Sequence, residues 1–200
     1  MPLSGDALAA VLVAVSFAAG LNVYATVAVL GLLAHAGWLT LPTALTVLDH
    51  WSVIAAAGVL FGIEFFADKT PGVDLVWNAL QTFIRIPVAA LLTYGATSQL
   101  APGWHLAATL AAGLIAMVAH GGKMAARVAV TPSPEPLSNI ALSVAEDALT
   151  IFITWMATQH PFIAAGIVVV LIGMLLLMIR WIVGALRRLF APDARPTFTR

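Results

Sequence analysis

Apolar segments long enough to cross a lipid bilayer make up most of this chain, and they constrain its fold more than any other feature. A membrane-crossing helix needs about 20 apolar residues, and a helix satisfies its backbone hydrogen bonds internally where no water is present. Hydrophobic residues are 62% of the sequence and charged residues are 9%, and the mean hydropathy is +1.01. These values place the chain among all-α polytopic membrane proteins.

The apolar segments predict about six transmembrane helices in a single transmembrane domain. They lie at residues 7–34, 51–67, 75–97 and 104–122, in the segment that ends near Trp155, and at 162–184. We expect this domain to cover residues 1–190 and a polar cytoplasmic tail to follow at 191–200. Gly20 and Pro87 interrupt two of the segments, which predicts a broken or kinked helix near each of them.

The cations between the segments predict the orientation of the chain. Lys69 falls in the second loop, Lys123 and Arg127 fall in the fourth, and the first, third and fifth loops have none. Because Lys and Arg concentrate in cytoplasmic loops, we expect both termini on the cytoplasmic side of the cell inner membrane. The N-terminus lacks the positive region of a secretory signal, so residues 7–34 are expected to be a retained first span.

Two internal similarities predict different repeat architectures. Residues 20–29 match residues 121–130, and this offset of three spans would give the inverted three-helix repeats of many secondary transporters. A second match, between residues 70–78 and residues 131–139, implies a parallel repeat instead. The two cannot both describe the whole fold, and the sequence leaves the choice open.

Ionisable residues inside the predicted spans form the candidate substrate or proton site: Glu64, Arg85, Glu146 and Asp147. A charge at mid-bilayer costs at least ~2.5–3.5 kcal/mol, so such residues indicate function by default. Arg85 is the expected partner of an acid because it lies at about the depth of Glu146, and either Glu146 or Asp147 could pair with it. The alternative is a buried pair that only fixes the register of the helices.

Two asparagines are candidates for the same site. Asn22 follows Gly20 closely, and Asn139 lies near the start of the fifth span. Polar groups beside unwound backbone line the substrate sites of many transporters. Ordinary hydrogen bonding between helices is the alternative for each asparagine.

His120, Lys123 and Arg127 follow the i, i+3, i+7 spacing of one helix face. This cytoplasmic basic stripe predicts either a site for an anionic substrate or lipid head group, or only the usual excess of cations on the inner side.

No metal and no cofactor is expected, because the histidines lack metal-ligand spacing and the chain has no cysteine. The net charge of zero argues against a nucleic-acid partner.

Several motifs together resemble a known family. They are GLNVYAT at 20–26, EFFADKTPGVD at 64–74, TFIR at 82–85, SPEP at 133–136 and the acidic pair at 146–147. The chain resembles the bacterial integral membrane family called domain of unknown function 4126, over roughly residues 7–185. The resemblance implies a membrane location, and it implies no activity.

The buried charges favour a small transporter or channel-like protein for a small solute or ion, with proton coupling through a carboxylate. The alternative is a non-transporting membrane protein that assembles with a partner, or regulates it, through its cytoplasmic loops. An enzyme acting on lipid ranks last, because no nucleophile–base or metal motif is present. The expected partners are membrane lipid, the unidentified solute or ion, and further copies of the chain in a homodimer or larger homo-oligomer.

Overall fold

The computed structural model describes residues 4–70, 72–130 and 136–189, and all regular secondary structure in this part of the chain is helical. The helices are α1 Gly5–Leu21, α2 Val23–His35, α3 Trp51–Ala67, α4 Val73–Ala96, α5 Pro102–Val130, α6 Pro136–Gln159 and α7 Pro161–Leu189, with a 3₁₀ helix at Thr43–Asp49 before α3. No strand occurs among these residues. The prediction of an all-α protein is therefore confirmed.

Within the described residues, four helices are long and apolar enough to cross a membrane. They lie at Val73–Ala96, Pro102–Arg127, Ile140–Gln159 and Pro161–Gly184. The 3₁₀ helix and α3 add a fifth candidate span if the bend of 65° between them lies within one crossing. α1 and α2 are shorter apolar helices of 17 and 13 residues. A polytopic membrane protein is confirmed, whereas the count of six crossings is not.

α1 occupies the centre of the bundle, where it packs against α4, α5, α6 and α7. Every residue from Ala14 to Leu21 is buried. Gly20 allows α1 and α5 to approach closely, because a Cβ atom on Gly20 would lie 2.5 Å from the carbonyl oxygen of Ala116 and 2.8 Å from the Cβ of Ala119. Gly20 itself is thus a helical packing residue, and the break that the sequence predicts near it lies just beyond it.

The break lies two residues later, at Asn22. Its backbone is extended, with φ −152° and ψ 101°, so that Asn22 ends α1 and begins α2. The Asn22 side-chain oxygen accepts a hydrogen bond from the backbone N–H of Ala25 at 3.0 Å. This is the hydrogen bond of a helix N-cap, and it explains why α2 starts at this residue.

The contacts of α1 give its direction relative to its neighbours. At its end, the Leu21 carbonyl oxygen accepts a hydrogen bond from Lys123 Nζ, in the last two turns of α5, at 3.3 Å. Earlier in the helix, the Ser16 hydroxyl lies 3.4 Å from that of Thr93, near the end of α4. α1 therefore descends from the end of the bundle that holds the C-terminus of α4 towards the end that holds the C-terminus of α5.

The contacts of α2 show that it returns in the opposite direction. At its start, the Tyr24 hydroxyl accepts a hydrogen bond from Gln81, two turns into α4, at 3.2 Å. Further along, Gly31 packs against Ile54 in the first turn of α3, where a Cβ on Gly31 would lie 2.8 Å from Ile54. α1 and α2 thus form a hairpin with Asn22 at its tip. Residues 7–34, expected to be one span, fold back on themselves instead.

Two other predictions from the sequence can be compared with the helices. α4 runs from Val73 to Ala96 without a break, so Pro87 does not divide it. Residues 20–29 contain the break at Asn22, whereas the matching residues 121–130 form continuous helix in α5. The inverted repeat is not confirmed, and the parallel match at 131–139 falls partly outside the described residues.

Candidate functional site

Charged side chains from four helices meet at one end of the bundle. α3 and α4 are joined by a short turn, and so are antiparallel, and α5 and α6 pack against the same centre. The charge cluster consists of Glu64, Asp68, Asp74, Arg85, Lys123, Arg127, Glu146 and Asp147, and all of these residues are buried. Glu146 is the most exposed member of the charge cluster, at 8%.

Arg85 is held between an acid and a histidine. Its Nη2 donates to Glu64 Oε1 at 2.5 Å, and its Nη1 lies 3.0 Å from His120 Nδ1. Because a guanidinium only donates, Nδ1 of His120 must accept. Nε2 of His120 then carries the hydrogen and donates to the Thr82 hydroxyl at 2.8 Å. Arg85 therefore pairs with Glu64, and neither Glu146 nor Asp147 is its partner.

Lys123 points into the charge cluster. Its Nζ lies 2.7 Å from Asp68 Oδ2, 3.5 Å from Glu64 Oε1 and 3.5 Å from Glu146 Oε2. This side chain supplies the positive charge that Arg85 alone could not provide for several acids. The residues of the predicted basic stripe, His120 and Lys123 among them, are buried, so the stripe does not form an exposed surface for an anionic lipid.

Arg127 connects the turn between α3 and α4 to α6. Its Nη2 donates to Glu146 Oε2 at 2.7 Å and to Asp68 Oδ2 at 3.1 Å, and its Nη1 donates to the Asp68 carbonyl oxygen at 2.6 Å. Asp74 lies 3.7 Å from the same guanidinium. Burial alone would raise the pKa of Asp68, but Lys123 and Arg127 outweigh it and hold that pKa below its usual range.

Asp147 differs from the other acids of the charge cluster. Its Oδ1 accepts a hydrogen bond from Asn22 Nδ2 at 2.9 Å. No Lys, Arg or His nitrogen of the described residues lies within 4.0 Å of it, and its Oδ2 has no hydrogen-bond partner among them. The structure thus brings Asn22 and Asp147 together, as expected from the sequence. The side chain of Asn139 lies outside the described residues.

Lys69 lies beside the charge cluster and is only partly buried. Its Nζ donates to the hydroxyl of Ser143 at 3.2 Å and to the carbonyl oxygen of Phe65 at 3.0 Å. Ser143 precedes Asp147 by one helical turn, so the Lys69 side chain extends from the turn that joins α3 to α4 towards the part of α6 that holds Asp147. Burial lowers the pKa of the Lys69 ammonium, and the charges of Asp147 and Asp68 partly offset this effect.

Sequence reasoning missed two acids and one amide. Asp68 and Asp74 follow the predicted span at 51–67, and neither of them is among the predicted site residues. Asn78, which donates to Asp68 Oδ1 at 2.9 Å, is absent from that prediction as well. The sequence spacing of the charged residues does indicate that Asp68 belongs with Glu64. Glu64 and Asp68 lie four residues apart, as do Lys123 and Arg127, so each pair shares one helix face.

The charge cluster contains more acid than base. Five carboxylates, from Glu64, Asp68, Asp74, Glu146 and Asp147, face three buried cations and the partly buried Lys69. In the described residues, no group of three or more His, Cys, Asp or Glu side chains is arranged to hold a metal ion. The surplus negative charge therefore suits a monovalent guest, such as a proton or a small cation, better than an anion.

The fold and the charge cluster define a polytopic helical membrane protein built around a buried network of ion pairs. The chain belongs to the family described as domain of unknown function (DUF4126), whose sequence profile matches residues 9–181. This match confirms the family that the sequence motifs suggested. No curated protein and no solved structure matches the chain.

Proposed function

We propose that this protein is a small integral membrane transporter or channel-like protein that moves a small solute or ion and is coupled to protons through buried carboxylates. It acts in the cell inner membrane, is surrounded by lipid, and assembles as a homodimer or larger homo-oligomer, since 200 residues make a small barrier around a site. It needs no cofactor and is not an enzyme.

The observation that carries this proposal is the position of the hairpin tip. Asn22 interrupts the central helix pair at the depth of the charge cluster, and its amide contacts Asp147. The C-terminal end of α1 faces Lys123, so the negative end of its dipole meets a cation. The N-terminal end of α2 faces Asp147, so the positive end of its dipole favours the carboxylate that forms when Asp147 releases a proton. Transporters place interrupted helices at their ion sites in this way.

The hairpin also supports a particular topology. If α1 and α2 enter and leave on one side, then α3 to α7 make five crossings, and the two termini lie on opposite sides. The turn between α3 and α4, at the end of the bundle with the charge cluster, carries Lys69. The connections at the opposite end, residues 36–50, 97–101 and 160, contain no Lys or Arg. The excess of cations on the cytoplasmic side then favours an external N-terminus and a cytoplasmic C-terminus. This replaces the expectation of six crossings with both termini inside.

Flux measurements in proteoliposomes test the transport proposal. Vesicles that contain the purified protein and a trapped pH-sensitive dye receive a pH gradient, in the presence or absence of sodium, potassium and chloride gradients. Wild-type protein should dissipate the pH gradient faster than empty vesicles. Asp147→Asn should lower the rate to that of empty vesicles, and Glu146→Gln should lower it in part because Arg127 and Lys123 lose a carboxylate.

Asp6→Asn is the matched control, because Asp6 is an exposed acid in the first turn of α1, far in sequence from the charge cluster. It should leave the flux at the wild-type rate. If Asp147→Asn and Glu146→Gln both have wild-type flux, then these acids take no part in transport.

One observation favours the second candidate, a non-transporting protein that assembles with or regulates a partner through its cytoplasmic loops. Arg85 and Glu64 are fully buried and pair with each other, which is also the arrangement of a pair that only fixes helix register. Absence of any flux from wild-type vesicles would favour this candidate.

A further inference from the structure

We infer that Asp147 is the proton-carrying residue of the site, and that the proton binds at its Oδ2 atom. This inference deepens the proposed function, since it assigns the coupling proton to one atom of the site. In the step itself, a hydronium ion transfers a proton to a lone pair of the carboxylate oxygen and becomes water, and the side chain becomes a neutral carboxylic acid. Release of the proton to water restores the carboxylate.

The first argument comes from the pairing of the acids. Each of the other acids of the charge cluster has a Lys or Arg nitrogen within 4.0 Å, whereas Asp147 has none among the described residues. Asp147 is nevertheless buried, with 4% of its surface exposed. A buried carboxylate that lacks a cationic partner is costly, and binding a proton is the usual way in which this cost is removed. The surplus of one carboxylate over the cations, counting Lys69, matches one proton.

The second argument comes from the hydrogen bonds of Asn22. Its oxygen is fixed as the acceptor for the Ala25 N–H at the start of α2, so its amide NH₂ must face Asp147. Oδ1 of Asp147 therefore accepts a hydrogen bond, as the carbonyl oxygen of a carboxylic acid does. Oδ2 remains without a hydrogen-bond partner among the described residues and is the oxygen that can carry the hydrogen.

The charged groups around Asp147 belong to several elements. Glu64 of α3, Asp68 and Lys69 of the following turn, and Lys123 of α5 all act on it electrostatically. On α6, the neighbouring Glu146 is held by Arg127. On α4, Arg85 is held by Glu64 and His120, and on α7 Arg180 is exposed. Lys123 is paired with Asp68, and Lys69 donates to the Phe65 carbonyl oxygen and the Ser143 hydroxyl. Both of these cations are therefore bonded to groups other than Asp147.

Infrared spectroscopy of the full-length protein in lipid tests the inference without any need for transport. A protonated carboxyl group has a C=O stretching band that is separate from the bands of carboxylates and that shifts in D₂O. At about pH 6, above the ordinary range of exposed carboxyl groups, wild-type protein should have this band and Asp147→Asn should lack it. Glu64→Gln and Glu146→Gln should retain it. A wild-type spectrum without the band, or a band that persists in Asp147→Asn, would overturn the inference.

The variant Asn22→Ser provides a second infrared test, in which Asp147 itself is unchanged. Serine keeps an oxygen that can cap α2, but its side chain is shorter by one heavy atom, so its hydroxyl does not reach Oδ1 as the amide NH₂ does. The band should move to higher wavenumber, because the C=O group loses its hydrogen-bond donor. An unchanged band position would overturn the assignment of Oδ1 as the carbonyl oxygen. If wild-type vesicles show flux but the wild-type protein lacks the infrared band, the proton site at Asp147 is wrong and transport is not. If the band is present but the vesicles show no flux, transport is wrong and the proton site is not.

Discussion

At the scale of single residues, the structure separates an ion pair that holds the helices together from an acid that is available for chemistry. Arg85 and Glu64 have no exposed side-chain surface. Removing one partner of such a pair leaves the other charge buried, at a cost of about 3–5 kcal/mol. Replacing both partners with apolar residues of similar size removes that cost.

We therefore predict that Arg85→Met destabilises the protein by about 3–5 kcal/mol, and that adding Glu64→Leu restores much of the loss. Thermal unfolding of the wild type, the two single variants and the double variant in detergent measures this coupling as a double-mutant cycle. Strictly additive effects of the two substitutions would contradict a direct pair. Lys123, which also lies 3.5 Å from Glu64, is unchanged in all four proteins.

Individual residues also show which parts of the site could be predicted from the sequence. The cost of a charge in hydrocarbon pointed to Glu64, Arg85, Glu146 and Asp147, and the structure places all of them in one cluster. The pairing of Arg85 could not be predicted, because depth along a helix is fixed by counting residues whereas rotation about the helix axis depends on packing. Asp68 was missed because a residue beside a Pro-Gly turn is usually exposed.

At the scale of elements, the contact between α1 and α5 depends on the absence of a side chain at Gly20. We predict that Gly20→Ala destabilises the protein by about 1–3 kcal/mol, the usual cost of overpacking, since the new Cβ would meet the backbone of Ala116 at 2.5 Å. Gly173→Ala in α7 is the matched control, because a Cβ there meets no atom within 4 Å. Equal unfolding temperatures for the two variants would contradict the close approach of α1 and α5.

The hairpin of α1 and α2 was the element that the sequence could not predict. Hydropathy measures the length of an apolar segment, and 7–34 is long enough to cross the membrane once with residues to spare. It carries no information on whether the chain continues or turns back at a polar residue. The motif around Asn22 did indicate a break, and only its position and the reversal of direction were missed.

At the scale of the whole molecule, the number of crossings can be tested by labelling. Since the chain has no cysteine, single cysteines can be introduced without background. We predict that Gly5→Cys and Thr40→Cys react with a membrane-impermeant maleimide added to intact cells, whereas Thr70→Cys reacts only after the membrane is permeabilised. All three positions are exposed, so differences in labelling report the side of the membrane.

Thr40→Cys and Thr70→Cys serve as the references for the two sides. If Gly5→Cys reacts only together with Thr70→Cys, then α1 and α2 make one crossing, and the six-span topology with both termini inside is correct.

The central position of α1 has a consequence for the way the protein is made. α1 is synthesised before α4, α5, α6 and α7, yet these later helices enclose it. Its buried face, with Ala14, Phe17 and Ala18 fully or almost fully covered, lacks its full set of neighbours until α7 has been inserted. The packing around α1 is therefore complete only after α7, the last of these helices, has been inserted.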